Sequence, residues 1–247
     1  MGCICSVHQP SYWPYLGLFD KIARSDVFML LDDVQYVKNG FKNRNKVFVQ
    51  SPRAANANQV GWLTLPVRHE HLSQTIQFTK VMQVSQTFRK HLATVAQAYG
   101  GMPGMQELRP RLARLYREHE RDDLSLADIG SATVRFGMEI FGITTEVVPR
   151  SSEIRDKSDE PTQRLIDICR HVGADTYLAG AGGKGYMRVE EFERQGVRLI
   201  WQEWHPFMYP QAHSPGAFVP YLSCLDLLCN LGRKSAECFP KITNHVP

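Results

Sequence analysis

Two short apolar runs, separated by an amphipathic segment, open the chain and constrain its fold more than any other feature. Residues 4–7 and 26–31 have the length of buried strands, and residues 16–23 carry apolar side chains at helical spacing between them. Strands connected through a helix are typical of a parallel sheet. In an open α/β sheet, polar side chains just after the strands face the ligand crevice. We therefore expect a candidate site at the strand ends near the N terminus.

The rest of the chain supports the same fold class. Residues 62–67 and 75–78 predict two more strands, and residues 84–141 carry three amphipathic helical stripes. Apolar runs then alternate with helices again up to residue 201. With 247 residues, 43% of them hydrophobic, the chain can bury one substantial core. The prediction is an α/β fold with a Rossmann-like, mostly parallel sheet and a central helical insertion or lobe at residues 84–141, as a single domain over residues 1–247.

Composition limits the classes of partner. The chain has 29 basic and 25 acidic residues, a net charge of +4, which is too mild to predict nucleic-acid binding. Six cysteines without paired spacing indicate reduced thiols in a cytoplasmic protein. No apolar run approaches the roughly 20 residues of a membrane helix. The start, Met1-Gly2-Cys3, matches an acylation pattern but merges at once into a strand, so lipidation is not expected.

One histidine and two aspartates are the candidate catalytic residues. His8 follows the first strand, and an imidazole titrates near neutral pH, which suits a general base. Asp32 and Asp33 follow the second strand and could orient His8 or hold Mg²⁺, the one cofactor considered, against a phosphate. The alternatives are a core histidine bonded to a backbone carbonyl and two aspartates that cap a turn. No dedicated metal site is predicted.

The candidate substrate-binding residues are polar and aromatic. Lys38 and Arg44 could bind a phosphate or a carboxylate, arginine in bidentate geometry. Carboxamides suit sugar hydroxyls or an amide, and aromatic rings can stack on a sugar or a base, although packing is the common role of each ring alone. These candidates are Gln9, Tyr12, Trp13, Gln35, Tyr36, Asn43, Asn45, Tyr209 and Gln211.

A glycine-rich loop follows a strand late in the chain. Gly180, Gly182 and Gly185 satisfy G-x-G-x-x-G before a short helix, with Glu203 after the next strand. Gly180, Gly182, Gly183 and Lys184 are therefore candidates for an anion-binding site, because exposed backbone amides and a lysine attract negative charge. A tight structural turn and a dinucleotide site are the alternatives.

Short segments spread over nearly the whole chain together resemble one protein family. They are His8-Gln9-Pro10-x-Tyr12, Asp32-Asp33-Val34-Gln35-Tyr36, Asn43-Arg44-Asn45, Tyr177-Leu178-Ala179-Gly180 and Leu222-Ser223-x-Leu225-Asp226-Leu227-Leu228. These segments resemble the WbqC-like protein family, whose members are associated with surface-polysaccharide and O-antigen gene clusters and with some small-molecule pathways. The resemblance implies a cytoplasmic enzyme that acts on an activated sugar or a related amine.

Together the resemblance and the residue types predict a transferase. It would move an acyl or aminoacyl group onto an amino sugar, free or nucleotide-linked, or onto a similar small amine. An acyl or aminoacyl carrier protein is the candidate protein partner, and a nucleotide sugar is the candidate substrate. One alternative is nucleotidyl transfer, against which Gly17 counts because no histidine stands beside it. The other alternative is a non-catalytic module that binds a sugar or a nucleotide.

Overall fold

A computed structural model describes residues 2–51, 58–211 and 216–239 of the chain. The strands are β1 (Ile4–His8), β2 (Val27–Leu30), β3 (Arg44–Gln50), β4 (Asn58–Thr64), β5 (Val67–Arg68), β6 (Lys80–Val81), β7 (Glu146–Val147), β8 (Thr176–Ala179) and β9 (Arg198–Trp201). The α-helices are α1 (Leu16–Ala23), α2 (Val84–Tyr99), α3 (Met105–Glu118), α4 (Leu126–Phe141), α5 (Pro161–His171), α6 (Val189–Arg194) and α7 (Cys224–Leu231). Met1, the first residue of the segment considered for lipidation, lies outside the described residues.

A five-stranded parallel sheet forms the centre of the molecule, in the order β7-β2-β1-β8-β9. Strand β1 lies between two parallel partners, with Cys5 opposite Val27 of β2 and Tyr177 of β8. Strands β2 and β7 lie on one side of β1, and the later strands β8 and β9 lie on the other side. The strand order therefore reverses between β1 and β8. The predicted α/β fold with a parallel sheet is confirmed. A reversal of this kind opens a crevice at the carboxyl ends of the strands.

Each face of this sheet is covered by its own apolar core. Phe28 and Leu30 of β2 pack into a large cluster with α1 to α4 and α7. Met29, between them, faces the other way into a smaller cluster that includes Ile166 of α5 and Phe192 of α6. This alternation follows from the two-residue period of a strand. The helices of residues 84–141 therefore pack within the larger core.

Local sequence signals set the ends of several helices. Ser125 caps α4 by accepting a hydrogen bond from the amide of Asp128, and Gly142 ends it with φ of 68°, a conformation that favours glycine. Pro161 occupies the first turn of α5, as predicted, and the Ser223 side chain caps α7. Residues 76–78 form a 3₁₀ turn, so the strand predicted at 75–78 is wrong. No helix in the described part of the chain has the length and apolarity that a membrane span requires.

Candidate functional site

A cavity of about 320 Å³ opens at the point where the strand order reverses. Its wall includes His8 and Gln9 from the end of β1, together with Gly180, Gly182 and Gly183 from the loop after β8. The front of the chain and the late glycine-rich loop therefore share one pocket. Parallel strands end at one edge of the sheet, which is why residues so distant in sequence meet here.

The half-buried His8 ring has a defined proton arrangement. Its Nδ1 lies 2.8 Å from the carbonyl oxygen of Gln9. A carbonyl accepts but does not donate, so Nδ1 carries the proton and Nε2 is the unprotonated nitrogen. Burial lowers the pKa of His8 well below its ordinary value, the charges of Lys42 and Lys21 lower it further, and the bond to Gln9 opposes them. The imidazole is therefore neutral at physiological pH, and its free Nε2 is less basic than that of an exposed histidine.

Close packing against α4 fixes the segment that follows His8. A Cβ atom at Gly130 would lie 2.9 Å from the side chain of Pro10, so this helix approaches the segment at a position that favours glycine. The Thr133 hydroxyl donates to the carbonyl of Ser11 at 3.2 Å and accepts from the amide of Trp13 at 3.2 Å. The helix thus fixes the segment between β1 and α1.

Two lysines that the sequence analysis missed also line the cavity. Lys21 extends from the buried side of α1, and its Nζ donates to the carbonyl of Val7 at 2.8 Å. Burial lowers the pKa of Lys21 and of Lys42 to about 8. The sequence does indicate that Lys21 is buried, because it lies three residues after Leu18 on the apolar side of α1.

A second cavity, of about 360 Å³, shares His8, Tyr15 and Lys42 with the first. The wall of this second cavity also includes the rings of Phe41 and Tyr221, which are 51% and 57% exposed. Of the predicted substrate-binding residues, Asn45 belongs to this second cavity, and its Nδ2 donates to a backbone carbonyl at 2.8 Å. Two adjoining spaces therefore meet at one neutral imidazole.

Asp32 and Asp33 lie elsewhere and join the end of β2 to a 3₁₀ turn at Ser151–Glu153. Asp32 accepts from the amide and the hydroxyl of Ser152 at 3.1 and 3.0 Å. Asp33 bonds to Lys157 at 2.8 Å, and although its burial opposes ionisation, bonds from Lys157 and Ser151 lower its pKa. Within the described structure, neither carboxylate has a hydrogen bond or ion pair to His8. Their contacts resemble the turn-capping alternative, and a catalytic role for them stays a prediction.

Three predicted substrate-binding residues lie on or beside the β3–β4 hairpin. Asn43 donates from Nδ2 to the carbonyl of Leu65 at 2.9 Å. Arg44 donates to the carbonyl of Asn39 at 2.7 Å and lies over the Trp62 ring at 4.4 Å. The exposed Lys38 precedes the hairpin. None of the three is in the wall of either cavity.

The other predicted substrate-binding residues make protein contacts as well. The Tyr12 hydroxyl is buried and bonds to Tyr116 at 2.6 Å and to His91 at 2.8 Å, while Gln35 donates to a loop carbonyl at 2.6 Å. Both Tyr209 and Gln211 donate to the buried Asp226, at 2.6 and 2.9 Å. The remaining aromatic candidates, Trp13 and Tyr36, are buried in the larger core.

The glycine-rich loop forms a tight turn before a short helix, in agreement with the turn alternative. Residues Ala181–Gly185 form a 3₁₀ turn, and the following helix, α6, has six residues. The exposed Lys184 is outside the cavity wall, and its Nζ lies 5.5 Å from the centre of the Trp201 ring. Among the described residues there is no group of three or more histidine, cysteine or acidic side chains that could hold a metal ion.

The fold and the cavity define an α/β protein with a parallel sheet and a cavity at its switch point. A family model described as the WbqC-like protein family matches residues 9–238, and the chain belongs to this family. The chain is similar to the uncharacterized protein Rv1507c of Mycobacterium tuberculosis, with 26% identity over 238 residues that cover 94% of this chain and 95% of that protein. No solved structure matches the chain.

Proposed function

We propose that this WbqC-like protein is a cytoplasmic transferase that moves an acyl or aminoacyl group onto a small amine. The acceptor we favour is an amino sugar, free or nucleotide-linked, in a surface-polysaccharide or small-molecule pathway. One observation supports this above all: His8 stands in the wall shared by two cavities. Such an arrangement suits a reaction in which two substrates approach one base from two sides.

The proposed acyl transfer consists of three changes in the substrates. The amine nitrogen attacks the acyl carbon, the bond from that carbon to the leaving group breaks, and the amine loses a proton. His8 Nε2 accepts this proton as general base and can return it to the leaving group. Lys21 and Lys42 make the first cavity electropositive, and positive charge near the reacting carbonyl favours the oxyanion, most strongly in a site that excludes water.

The second cavity is the proposed entrance for the group that is transferred. Its rim combines the exposed rings of Phe41 and Tyr221 with the amine of Lys46. A thioester on the arm of an acyl or aminoacyl carrier protein has matching chemistry, because the arm is partly apolar and carrier surfaces are acidic. The acceptor amine then binds in the first cavity.

Product formation tests the proposal. The purified protein is incubated with nucleotide-linked amino sugars and acyl or aminoacyl thioesters, and mass spectrometry detects the acylated sugar. His8→Gln keeps a donor for the Gln9 carbonyl but lacks the basic nitrogen, so turnover should fall roughly 10²- to 10⁴-fold. The exposed His71 provides the matched control, since His71→Gln leaves the cavities intact. Full turnover by His8→Gln would refute the assignment.

Nucleotidyl transfer is the second candidate, and the sheet favours it. The order β7-β2-β1-β8-β9 is the 3-2-1-4-5 order of nucleotide-binding Rossmann domains, with the cavity at the switch point. This reaction would release pyrophosphate from a nucleoside triphosphate, which a pyrophosphate assay measures directly. If nucleotide sugars raise the melting temperature but neither product forms, the protein is a binding module.

A further inference from the structure

The buried amine of Lys21 has hydrogen-bonding capacity that the described part of the chain leaves unused. The side chain is 4% exposed, and among the described residues its Nζ makes one hydrogen bond, to the carbonyl of Val7 at 2.8 Å. An ammonium group has three donors, so two are available to a ligand. A Cβ atom added at Gly180 would lie 3.9 Å from this nitrogen, which places the amine beside the glycine-rich loop.

The charge of the cavity wall is unbalanced. Lys21 and Lys42 both contribute to it, and no aspartate or glutamate does among the residues that the structure describes. The acidic Asp20 bonds to Gln202 of the wall at 2.7 Å, but it is already paired with Arg24 at 2.9 Å. Two partly desolvated cations without a facing carboxylate favour binding of an anion, and of a doubly charged anion most.

Gly182 in the same wall has space on its side-chain side. A Cβ atom there would meet no atom within 4 Å, and the backbone is not in the left-handed region that favours glycine. Neither crowding nor conformation therefore requires a glycine at this position. Since Gly182 lines the cavity, we expect a side chain at this position to narrow it.

We propose that the first cavity binds a phosphoryl group of the substrate, held between the amines of Lys21 and Lys42 and packed against Gly182. The assignment deepens the proposed function, on which it rests for the identity of this cavity as a substrate site. A sugar phosphate, a nucleoside diphosphate and the diphosphate of a nucleotide sugar all carry this group. Lys184, the cation suggested by the loop motif, is not part of the proposed phosphoryl site.

Calorimetry with pyrophosphate, inorganic phosphate and acetate at pH 7 tests the site without any need for turnover. We expect pyrophosphate to bind most tightly and acetate least. Lys21→Met and Lys42→Met should each weaken pyrophosphate binding roughly 10- to 100-fold, as expected for the loss of a charged hydrogen bond. The exposed Lys80 provides the control for net charge, and Lys80→Met should bind like the wild type. Equal binding of acetate and phosphate would overturn the phosphoryl assignment.

A matched pair of glycine variants tests the geometry. A valine at position 182 should project into the cavity and weaken pyrophosphate binding roughly tenfold or more. Gly185→Val lies in the same turn and is equally free of neighbours, but position 185 is outside the cavity wall, so binding should not change. Unchanged binding in Gly182→Val, or loss of binding in Lys184→Met with retention in Lys21→Met, would place the anion elsewhere.

The source of the phosphoryl group follows from a comparison of ligands. Uridine diphosphate that binds more tightly than pyrophosphate would indicate a nucleotide, and equal binding would indicate a phosphate site without a base pocket; both outcomes support the assignment.

Different results contradict the phosphoryl site and the proposed transferase function. Normal pyrophosphate binding without acyl transfer in any mixture contradicts the transferase alone. Loss of turnover in His8→Gln, with undiminished pyrophosphate binding in Lys21→Met and Lys42→Met, contradicts the phosphoryl site alone.

Discussion

Replacing Lys21 by methionine should stabilise the folded protein near neutral pH. The pKa of this lysine is lowered from 10.5 to about 8 by burial. At about 1.4 kcal/mol per pKa unit, the charged amine is roughly 3 kcal/mol less favourable in the folded protein than in water. Methionine fills a similar volume without charge, and loss of the hydrogen bond to Val7 costs about 1 kcal/mol. The expected net gain at pH 7 is about 2 kcal/mol.

The gain should depend on pH in a defined direction. Between pH 8 and pH 10.5 the unfolded chain retains a proton that the folded Lys21 has released. The unfolded state then binds more protons, so the stability of the wild type rises with pH through this window. Lys42, also with a pKa of about 8, adds to the same rise. The methionine variant lacks the contribution of Lys21, and its advantage should disappear above this window.

Thermal unfolding at pH 7 and at pH 10.5 measures both effects. For a chain of this size a gain of about 2 kcal/mol raises the melting temperature by roughly 4–8 °C. Lys80→Met, at an exposed position, should change it little at either pH. A variant at Lys21 that is less stable than the wild type at pH 7 would refute the reasoning, as would a gain of the same size at both pH values.

Three further variants test the surroundings of the site. Gly130→Ala introduces a Cβ atom 2.9 Å from Pro10, so we expect a loss of about 1–3 kcal/mol in urea unfolding and slower turnover as the segment after His8 shifts. Asp33→Asn should weaken the 2.8 Å bridge to Lys157 and cost about 1–3 kcal/mol at neutral pH. An unchanged kcat in this variant would favour a structural role for the aspartate. Tyr12→Phe should lose about 1–3 kcal/mol of stability with unchanged substrate affinity, because the hydroxyl is buried in protein contacts.

The fold class was predictable because the spacing and the length of apolar runs carry most of the information about a parallel sheet. The apolar runs at residues 4–7 and 26–31 correspond to β1 and β2, and they led directly to the site-bearing edge. The 3₁₀ turn at residues 76–78 was not predictable, because it depends on long-range bonds such as the amide of Gln77 to the carbonyl of Asp32 at 2.9 Å. Short apolar runs do not distinguish a strand from such a turn.

The direction of a side chain after a strand could not be predicted from the sequence. His8 and Asp32 both follow strands of one sheet, yet His8 lines the cavity and Asp32 bonds to Ser152. Polar residues after a strand can face the crevice or cap a turn, and the sequence contains both possibilities. Lys21 was missed for the opposite reason. A lysine within an apolar stripe is usually taken as a residue whose amine reaches solvent, whereas this amine is buried.

The stability of the fold and the binding of an anion should oppose one another at Lys21. Burial lowers the pKa of Lys21 and of Lys42, so we expect their charged amines to weaken the folded state when no anion is present. An anion at 100 times its dissociation constant would return about 2.7 kcal/mol of stability, close to the penalty at one lysine. Methionine at this position should therefore raise the melting temperature without ligand and reduce the rise that pyrophosphate produces. If Lys21 has a structural role alone, methionine should lower the melting temperature without ligand and leave the rise produced by pyrophosphate unchanged.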